Sequence, residues 1–445
     1  MDKYQPYSDY KYTGALGLES IPLDWDIHRI KFIFNIGRGR VISEQELEDD
    51  GKYPVYSSQT KNDGCLGYIN SYDFDCEQIT WTTDGANAGT VFLRIGKHNC
   101  TNVCGTLQPK TETVIMNYTL YCLEYVTQFH KRPDTNGAKI MNNEMAEISI
   151  AQPEFHEQQK IANFLDYETA KIDTLIAKQQ QLIKLLKEKR QAVISRAVTK
   201  GLNPDAPMRD SGVEWLGEVP EHWIVSALKY HVDTVNGFGF SSSDVCEEGV
   251  PFIRAGNIKK KSITPTDLYL PQKIVDRYKR VILSEGDIVI SMVGSDPRIL
   301  ESAVGQVGVV TESMSGAVPN QNIVILREKL DSVLKRFLFY TLCSEPYRNH
   351  LNVFSHKLAN QSIISSSLIV NAKFTLPNTY EQKKIIEFLD QRLAKFDEII
   401  ARCYNSLELL KERRTALISA AVTGKIDVRN WVESKSLNNN KEVVA

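Results

Sequence analysis

PEFHEQQKIANFLD, residues 153–166, recurs as PNTYEQKKIIEFLD, residues 377–390. The match runs without a gap to Thr199 and Thr423, and 24 of the 47 aligned positions are identical at a shift of 224 residues. The far ends repeat as well: Leu185-Leu186-Lys187-Glu188 becomes Leu409-Leu410-Lys411-Glu412, and Ala197-Val198-Thr199 becomes Ala421-Val422-Thr423. Each copy carries an apolar stripe. In the first it follows Leu165, Ile172, Ile176, Gln179, Ile183, Leu186, Arg190, Val193 and Ala197. In the second it follows Leu389, Phe396, Ile400, Cys403, Leu407, Leu410, Arg414, Leu417 and Ala421. Such 4-3 alternations are heptad-like seams and predict two long helices. A helix of roughly 45 residues at about 1.5 Å per residue is near 68 Å long, too long to be buried in one small domain. Each stripe needs a partner, and the simplest arrangement pairs the helices with each other, antiparallel, around a pseudo-twofold. The apolar stripe residues, Ala197, Ala421 and Cys403 aside, are the candidate interface. A chain with two such units should address two half-sites, or two copies of one partner.

The repeat extends upstream. Ile21-Pro22-Leu23-Asp24-Trp25 resembles Val219-Pro220-Glu221-His222-Trp223 at a shift of 198. In each copy a Pro-x-x-Trp element precedes a variable region, which leads into the long helix. The variable regions hardly match, so they are expected to perform two different jobs of one kind. Both read as mixed α+β. Ile79–Thr82 and Thr90–Leu93 are β-type runs flanking the glycine-rich turn 84–89. Val281–Leu283, Ile288–Ile290, Val304–Val310 and Ile323–Leu326 are expected strands, and Asn117–Gln128 and Leu330–Leu342 expected helices. Residues 203–207 have linker composition, and the segment after Val428 is expected to fray. The organisation is thus a first globular region (1–152), a helix (153–202), a linker and second region (203–376), a second helix (377–425) and a flexible tail (426–445).

Composition sets bounds. A hydrophobic content of 42% and a charged content of 24% belong to ordinary globular proteins of two or three domains. No window approaches 18 consecutive apolar residues and the N-terminus is polar, so neither a membrane span nor a cleavable signal is expected, and the cytoplasm is the expected location. Eight scattered cysteines lack metal or redox spacing and are expected to be reduced thiols. A net charge of −2 argues against nonspecific coating of nucleic acid, but not against a reader with its basic residues on one face.

Catalytic signatures fail. No two prolines are adjacent, which excludes the Asp/Asn-Pro-Pro-Tyr loop of amino methyltransferases. No Gly-Lys pair is followed by Ser or Thr, so there is no phosphate-cradling loop, and no HExxH occurs. Glu433-Ser434-Lys435 has a nuclease-like form but falls in the expected tail, and Gly237–Phe240 reads as a plain loop. Polar clusters in the variable regions fit base and phosphate contacts better, because Arg, Lys, Asn and Gln pair with purine edges. The candidates are Arg38, Arg40, Lys52, Ser57, Gln59, Lys61 and Asn62 in the first region. In the second they are Arg254, Asn257, Lys259, Lys260, Asn320, Gln321 and Asn322. Taken singly, each is more readily a solvated loop residue, and Lys259–Lys261 a charged surface turn. Arg190 and Arg414, at equivalent seam positions, either extend out to solvent, or fix the helix register or bind a partner's carboxylate.

The repeated Pro-x-x-x-Glu-Gln-x-Lys-Ile-x-x-Phe-Leu-Asp resembles the conserved helices of type I restriction–modification specificity subunits. The Gly212–Trp223 stretch, Arg254-x-x-Asn257-Ile258, Gly286-Asp287-Ile288 and Gly305–Gly308 resemble the same family, and the likeness spans the chain to about Arg429. One departure is Gly17, where the family has Trp. The resemblance implies an α+β chain of two target recognition domains separated by two long antiparallel helices. It implies that each domain reads one half of a split, asymmetric duplex DNA sequence. Two modification subunits with S-adenosylmethionine, and motor–nuclease subunits with ATP and Mg, would join as partners. The chain itself would bind no cofactor and catalyse nothing. A single-chain methyltransferase or nuclease, and a coiled-coil scaffold without DNA affinity, are the rival classes.

Overall fold

The computed structural model describes residues 4–135, 137–295, 302–329, 332–354, 356–358 and 361–433. Residues 330 and 331 of the expected 330–342 helix, Ser434 and Lys435 of the nuclease-like triplet, and most of the tail lie outside them. The long helices span Phe155–Lys200 and Thr379–Val422. Their recurring polar residues perform the same task twice. Gln158 Nε2 donates to Pro153 O and Gln382 Nε2 to Pro377 O, both at 2.9 Å, closing the helix start. Glu157 accepts from Tyr7 Oη (2.5 Å), and Glu381 accepts from Trp223 Nε1 (3.3 Å) and meets His222 Nε2 (2.9 Å). Asp166 accepts from Tyr121 Oη and Asn117 Nδ2, whereas Asp390 accepts from Tyr340 Oη and Arg336. Thus Glu anchors the lead-in element and Asp anchors the helix that faces it, Met116–Val126 or Lys335–Leu342.

Each helix ends at a left-handed glycine, Gly201 (φ +74°) or Gly424 (φ +67°), the usual stop for an α-helix. Gly201 lies against the Trp223 ring and Gly424 against Pro22 and Trp25. Both tryptophans are buried. The Pro-x-x-Trp element therefore covers the end of a long helix in both copies. The departure at Gly17 has a local cause: a Cβ there would lie 2.8 Å from the ring of Phe129. At the matching position Trp215 packs on His350 and Phe354, with centroids 5.2 and 5.8 Å away.

The chain divides into two compact units, residues 1–180 with 405–445 and residues 181–404. The boundaries fall inside the helices, so each unit holds one half of each. In the first unit the antiparallel sheet runs Val91–Arg94, Gln78–Thr82, Cys104–Pro109, Phe34–Arg38. A second sheet runs Cys65–Ile69, Tyr53–Tyr56, Lys97–Cys100, Phe74–Asp75, with Tyr53–Tyr56 and Lys97–Cys100 parallel. Helix Met116–Val126 packs its buried Tyr118, Cys122 and Leu123 on the first sheet and on Ile161, Phe164 and Leu165 of the long helix. Ile418, Ala421 and Val422 of the other long helix close the same core. In the second unit a six-stranded sheet contains Val232–Asn236, Ile323–Glu328, Ile288–Ser291 and Val307–Val309 in that order. Strands Val250–Ile253 and Val318–Pro319 pair in parallel in a separate three-stranded sheet. Ile194, Leu389, Leu393 and Phe396 share its core with Phe337, Tyr340 and Phe374.

Most stripe residues are buried or half-buried: Leu165, Ile172, Ile183, Leu389, Phe396 and Leu407 are buried, and Ile176, Leu186, Val193, Ile400, Leu410 and Leu417 half-buried. The seam arginines do not extend freely. Arg190 grips Asp397 through Nε (2.8 Å) and Nη2 (3.2 Å) within the second unit. Arg414 binds Asp173 (2.9 Å) and Glu124 within the first. Asp173 and Asp397 are themselves equivalent at the 224-residue shift. Each pair, taken with the shared core of its unit, runs the helices antiparallel there: Leu165 shares a core with Ile418 and Ala421 in the first, and Ile194 and Val198 with Leu389 and Leu393 in the second.

Three expectations need correction. Val281–Leu283 forms no strand: Asp276–Val281 is a 3-10 turn whose apolar residues dock on a small core of Phe252, Leu270, Val275 and Val318. The run Val304–Val310 keeps only Val307–Val309 as strand. Val428–Trp431 does not fray. Val428 is buried, and Trp431 stacks edge-on against Phe164 (5.6 Å), so apolar burial holds this segment. None of the eight cysteines is in a disulfide, and no described helix is long and apolar enough to cross a membrane.

Candidate nucleic-acid interface

Five backbone hydrogen bonds of the first unit recur in the second and bring the same loops to one end of each sheet. Thr101 N donates to Tyr56 O (2.8 Å), Arg40 N to Cys100 O (3.1 Å), Gly39 N to Cys104 O (3.0 Å), Thr83 N to Val103 O (2.9 Å) and Cys104 N to Thr101 O (2.9 Å). Their counterparts are Asn320 N to Ile253 O (2.9 Å), Phe238 N to Pro319 O (3.1 Å), Gly237 N to Ile323 O (2.8 Å), Met292 N to Asn322 O (2.8 Å) and Ile323 N to Asn320 O (3.1 Å). The register equates Gly39 with Gly237, Arg40 with Phe238, and Thr101-Asn102-Val103 with Asn320-Gln321-Asn322. A Cβ on Gly39 would overlap the carbonyls of Cys100 and Thr101, and one on Gly237 those of Pro319 and Asn320. Only glycine permits this approach.

The loops that leave the parallel strands, 57–64 and 254–261, lie at the same end. They hold the four non-glycine residues with left-handed backbone among those described: Asn62 (φ 49°), Asp63 (51°), Lys260 (49°) and Lys261 (65°). Such conformations cost on the order of 1 kcal/mol each and gather where a chain is shaped for a task. In the first unit the loop is tied down by Asn87 Nδ2 to Ser58 O (3.0 Å) and Thr101 Oγ1 to Ser57 Oγ (3.1 Å). Beneath it lies Arg94, 4% exposed, its guanidinium 3.5 Å from the Tyr56 ring centroid and 4.4 Å from that of Phe92. Its Nε donates to Thr80 Oγ1 (3.2 Å), and burial lowers its pKa.

This duplicated arrangement is matched by a known family. The model for the type I restriction modification DNA specificity domain fits the chain twice, over residues 22–185 and 220–409. The chain belongs to the type I DNA specificity family. It is similar to the MjaVIII specificity subunit of Methanocaldococcus jannaschii, with 28% identity over 96% of this chain and 98% of that protein. It also resembles the MpnII specificity subunit of Mycoplasma pneumoniae, 38% identical over 37% of this chain and 50% of that protein. Among solved structures, a chain from a study of assembly and conformational transition of the type I R-M system superposes with a TM-score of 0.66 at 16% identity. That match covers 91% of this chain and 99% of the other, and it shows the shared fold. The protein is accordingly a DNA-recognition component with two specificity domains, the non-catalytic part of a restriction–modification system.

The specificity domains bring most of the sequence candidates together and reassign several. Lys61, Asn62, Arg254, Lys259, Lys260 and Gln321 are exposed on the shared loops. Lys52 is not with them: it precedes strand Tyr53–Tyr56 and so stands at the strand's opposite end. Arg40 is held between Glu46 (2.8 Å) and Asp73 (3.1 Å), and its hydrogen bond to Glu46 raises its pKa further. Arg38 Nε donates to Asn102 O, Gln59 Nε2 to Cys65 O, and Asn257 spends both amide atoms on Arg254 N (2.9 Å) and Pro265 O (3.2 Å). Arg40, Gln59 and Asn257 therefore shape loops with the very atoms a base would need. Asn320 Oδ1 caps Asn322 N (3.2 Å). Lys261, read with its neighbours as a surface turn, instead buries its Nζ with no hydrogen-bond partner, and desolvation lowers its pKa.

Sequence reasoning passed over Asn102, Phe238 and Tyr278. Asn102 is exposed at the apex that Gln321 occupies in the other specificity domain. Its equivalence rests on hydrogen-bond register, and no gap-free alignment of the two halves reveals it.

Proposed function

We propose that this chain reads a split, asymmetric duplex DNA target, one half-site per specificity domain, and thereby determines where its partner subunits act. The observation that carries the reading is the recurrence of one loop constellation in both domains with different side chains upon it. Equal geometry with unequal chemistry suits two unlike half-sites. Asn102 and Gln321 stand at equivalent apices, and an amide side chain can pair with N6 and N7 of adenine in the major groove. Lys61, Arg254, Lys259 and Lys260 around them suit phosphates or guanine edges. Phosphate contacts of this kind would make binding fall steeply with salt.

The duplicated helices fit two copies of a modification subunit carrying S-adenosylmethionine, and restriction subunits using ATP and Mg would complete the assembly in the cytoplasm. This chain would bind no cofactor of its own. Co-expression with the modification subunit, followed by mapping of methylated adenines by long-read sequencing, tests the reading. A single motif of two specific halves around a fixed nonspecific gap is expected. A continuous motif, or a stable complex that methylates nothing, would overturn it.

A further inference from the structure

Between equivalent residues the second domain is longer: Ile253 to Pro319 spans 66 positions and Tyr56 to Cys100 spans 44. The addition includes the 3-10 segment Asp276–Val281, whose Tyr278 is packed onto the Gly237–Phe240 loop. The Phe238 and Tyr278 ring centroids are 4.2 Å apart at 34°. Phe240 meets both rings, at 5.0 and 5.3 Å, and rests edge-on against Phe252 at 5.5 Å. Phe252 is buried, so the cluster is anchored to the domain core while Phe238, 39% exposed, forms its outer face.

Three neighbours define what this face meets. Gly237, by its close approach to Pro319 and Asn320, seats Phe238 beside the 320–322 loop. Gly239 lies against the exposed Gln321 amide, whose atoms are about 3.5 Å from where a Cβ would stand. Arg277, Lys279 and Arg280 flank Tyr278, are exposed, and enter no ion pair among the described residues. An apolar ring beside a purine-pairing amide, bordered by cations, matches the major-groove edge of an A·T pair or step. There adenine offers N6 and N7, thymine offers a methyl group, and phosphates lie on either side. The equivalent position in the first domain is Arg40, locked to two carboxylates, so the device belongs to the second half-site alone.

We infer that Phe238, backed by Tyr278 and Phe240, contacts a thymine 5-methyl group in the second half-site, next to the base edge read by Gln321. This rests on the DNA-recognition reading above. The test uses the full chain in complex with its modification subunit, and duplexes carrying the motif mapped by methylation sequencing. Each thymine of either half-site is replaced in turn by deoxyuridine, which removes the methyl group and nothing else.

One second-half substitution should weaken wild-type binding roughly fourfold, the worth of one buried methyl group. Phe238→Ala should lose a similar factor on the thymine duplex and nothing more on the deoxyuridine duplex. Phe238→Leu should keep part of the discrimination. If no second-half deoxyuridine weakens the wild type, the inference falls; the wild-type series requires no substitution that could disturb folding. If Phe238→Ala binds the thymine duplex as the wild type does, or still discriminates the methyl group, another residue makes the contact and the inference falls too. If the intact motif fails to outcompete a scrambled duplex, the DNA-recognition reading itself has failed.

Discussion

Single residues set the geometry of the recognition loops before any contact with DNA. Gly237 shows this best, because the carbonyls of Pro319 and Asn320 occupy the space of a Cβ. Gly237→Ala should cost roughly 3 kcal/mol, since both opposing groups are backbone and neither can yield cheaply. Gly256→Ala, where a Cβ meets nothing within 4 Å, should fall within about 0.5 kcal/mol of the wild type in the same urea titration. His98 predicts a pH effect. It is 1% exposed, its Nδ1 facing Gly96 O (2.8 Å) and its Nε2 facing Gln78 Nε2 (2.8 Å). Nδ1 then donates and Nε2 accepts, so the ring is the neutral form. Burial holds its pKa below the ordinary 6.5, with nearby Arg94 acting in the same direction. The unfolded chain takes up this proton first, so the stability it confers is present above about pH 6.5 and declines as pH falls below that value. Thermal unfolding of the wild type and His98→Gln at pH 7.5 and 5.5 should show the gap between them narrowing at the lower pH.

Elements differed in how openly the chain displayed them. Ile323–Leu326 was visible because a central strand buried on both faces reads as a continuous apolar run, and Ile79–Thr82 because Ile, Thr and Trp favour strands. Val281–Leu283 reads the same way, yet its apolar residues are docking points of an irregular segment, and a short run cannot distinguish the two. The long helices were legible from their repetition and its 4-3 apolar stripe. The partners of their recurring Asp residues were not, because Tyr121 and Tyr340 lie in the divergent regions. The seam arginines show why equivalent positions need not carry equal weight. Arg414 faces two carboxylates, and its side chain is 25% exposed. Arg414→Met should cost about 2 kcal/mol, because Glu124 and Asp173 are left crowded and unpaired. Arg190 faces Asp397, which is 60% exposed, so Arg190→Met should cost less than about 1 kcal/mol. Equal losses in parallel urea titrations would contradict this account.

At the scale of the molecule, the two-domain plan was legible and the correspondence of the loops was not. The shift between equivalent residues changes from 198 at the Trp elements to 197 at Tyr56 and Ile253, 219 at Cys100 and Pro319, and 224 at the helices. Unequal insertions had erased the pattern that backbone hydrogen bonds restored. If the domains act independently, exchange of residues 230–375 for the corresponding segment of another specificity subunit should change one half of the methylated motif and leave the other intact. A change in both halves would count against independent reading. The lead-in and trailing segments of the chain meet in the first unit: Tyr10 Oη donates to Gly424 O (2.9 Å), Asp427 N donates to Gln5 O (2.7 Å), and Arg429 lies 4.8 Å from the Tyr7 ring centroid. The second unit makes the corresponding joint between Gly201 and Trp223 with an unbroken chain through residues 203–207. One joint is thus covalent and the other is not, although both are built alike. A circular permutant, cut at 203–207 and linked across the first-unit joint, would retain the packing contacts of both joints.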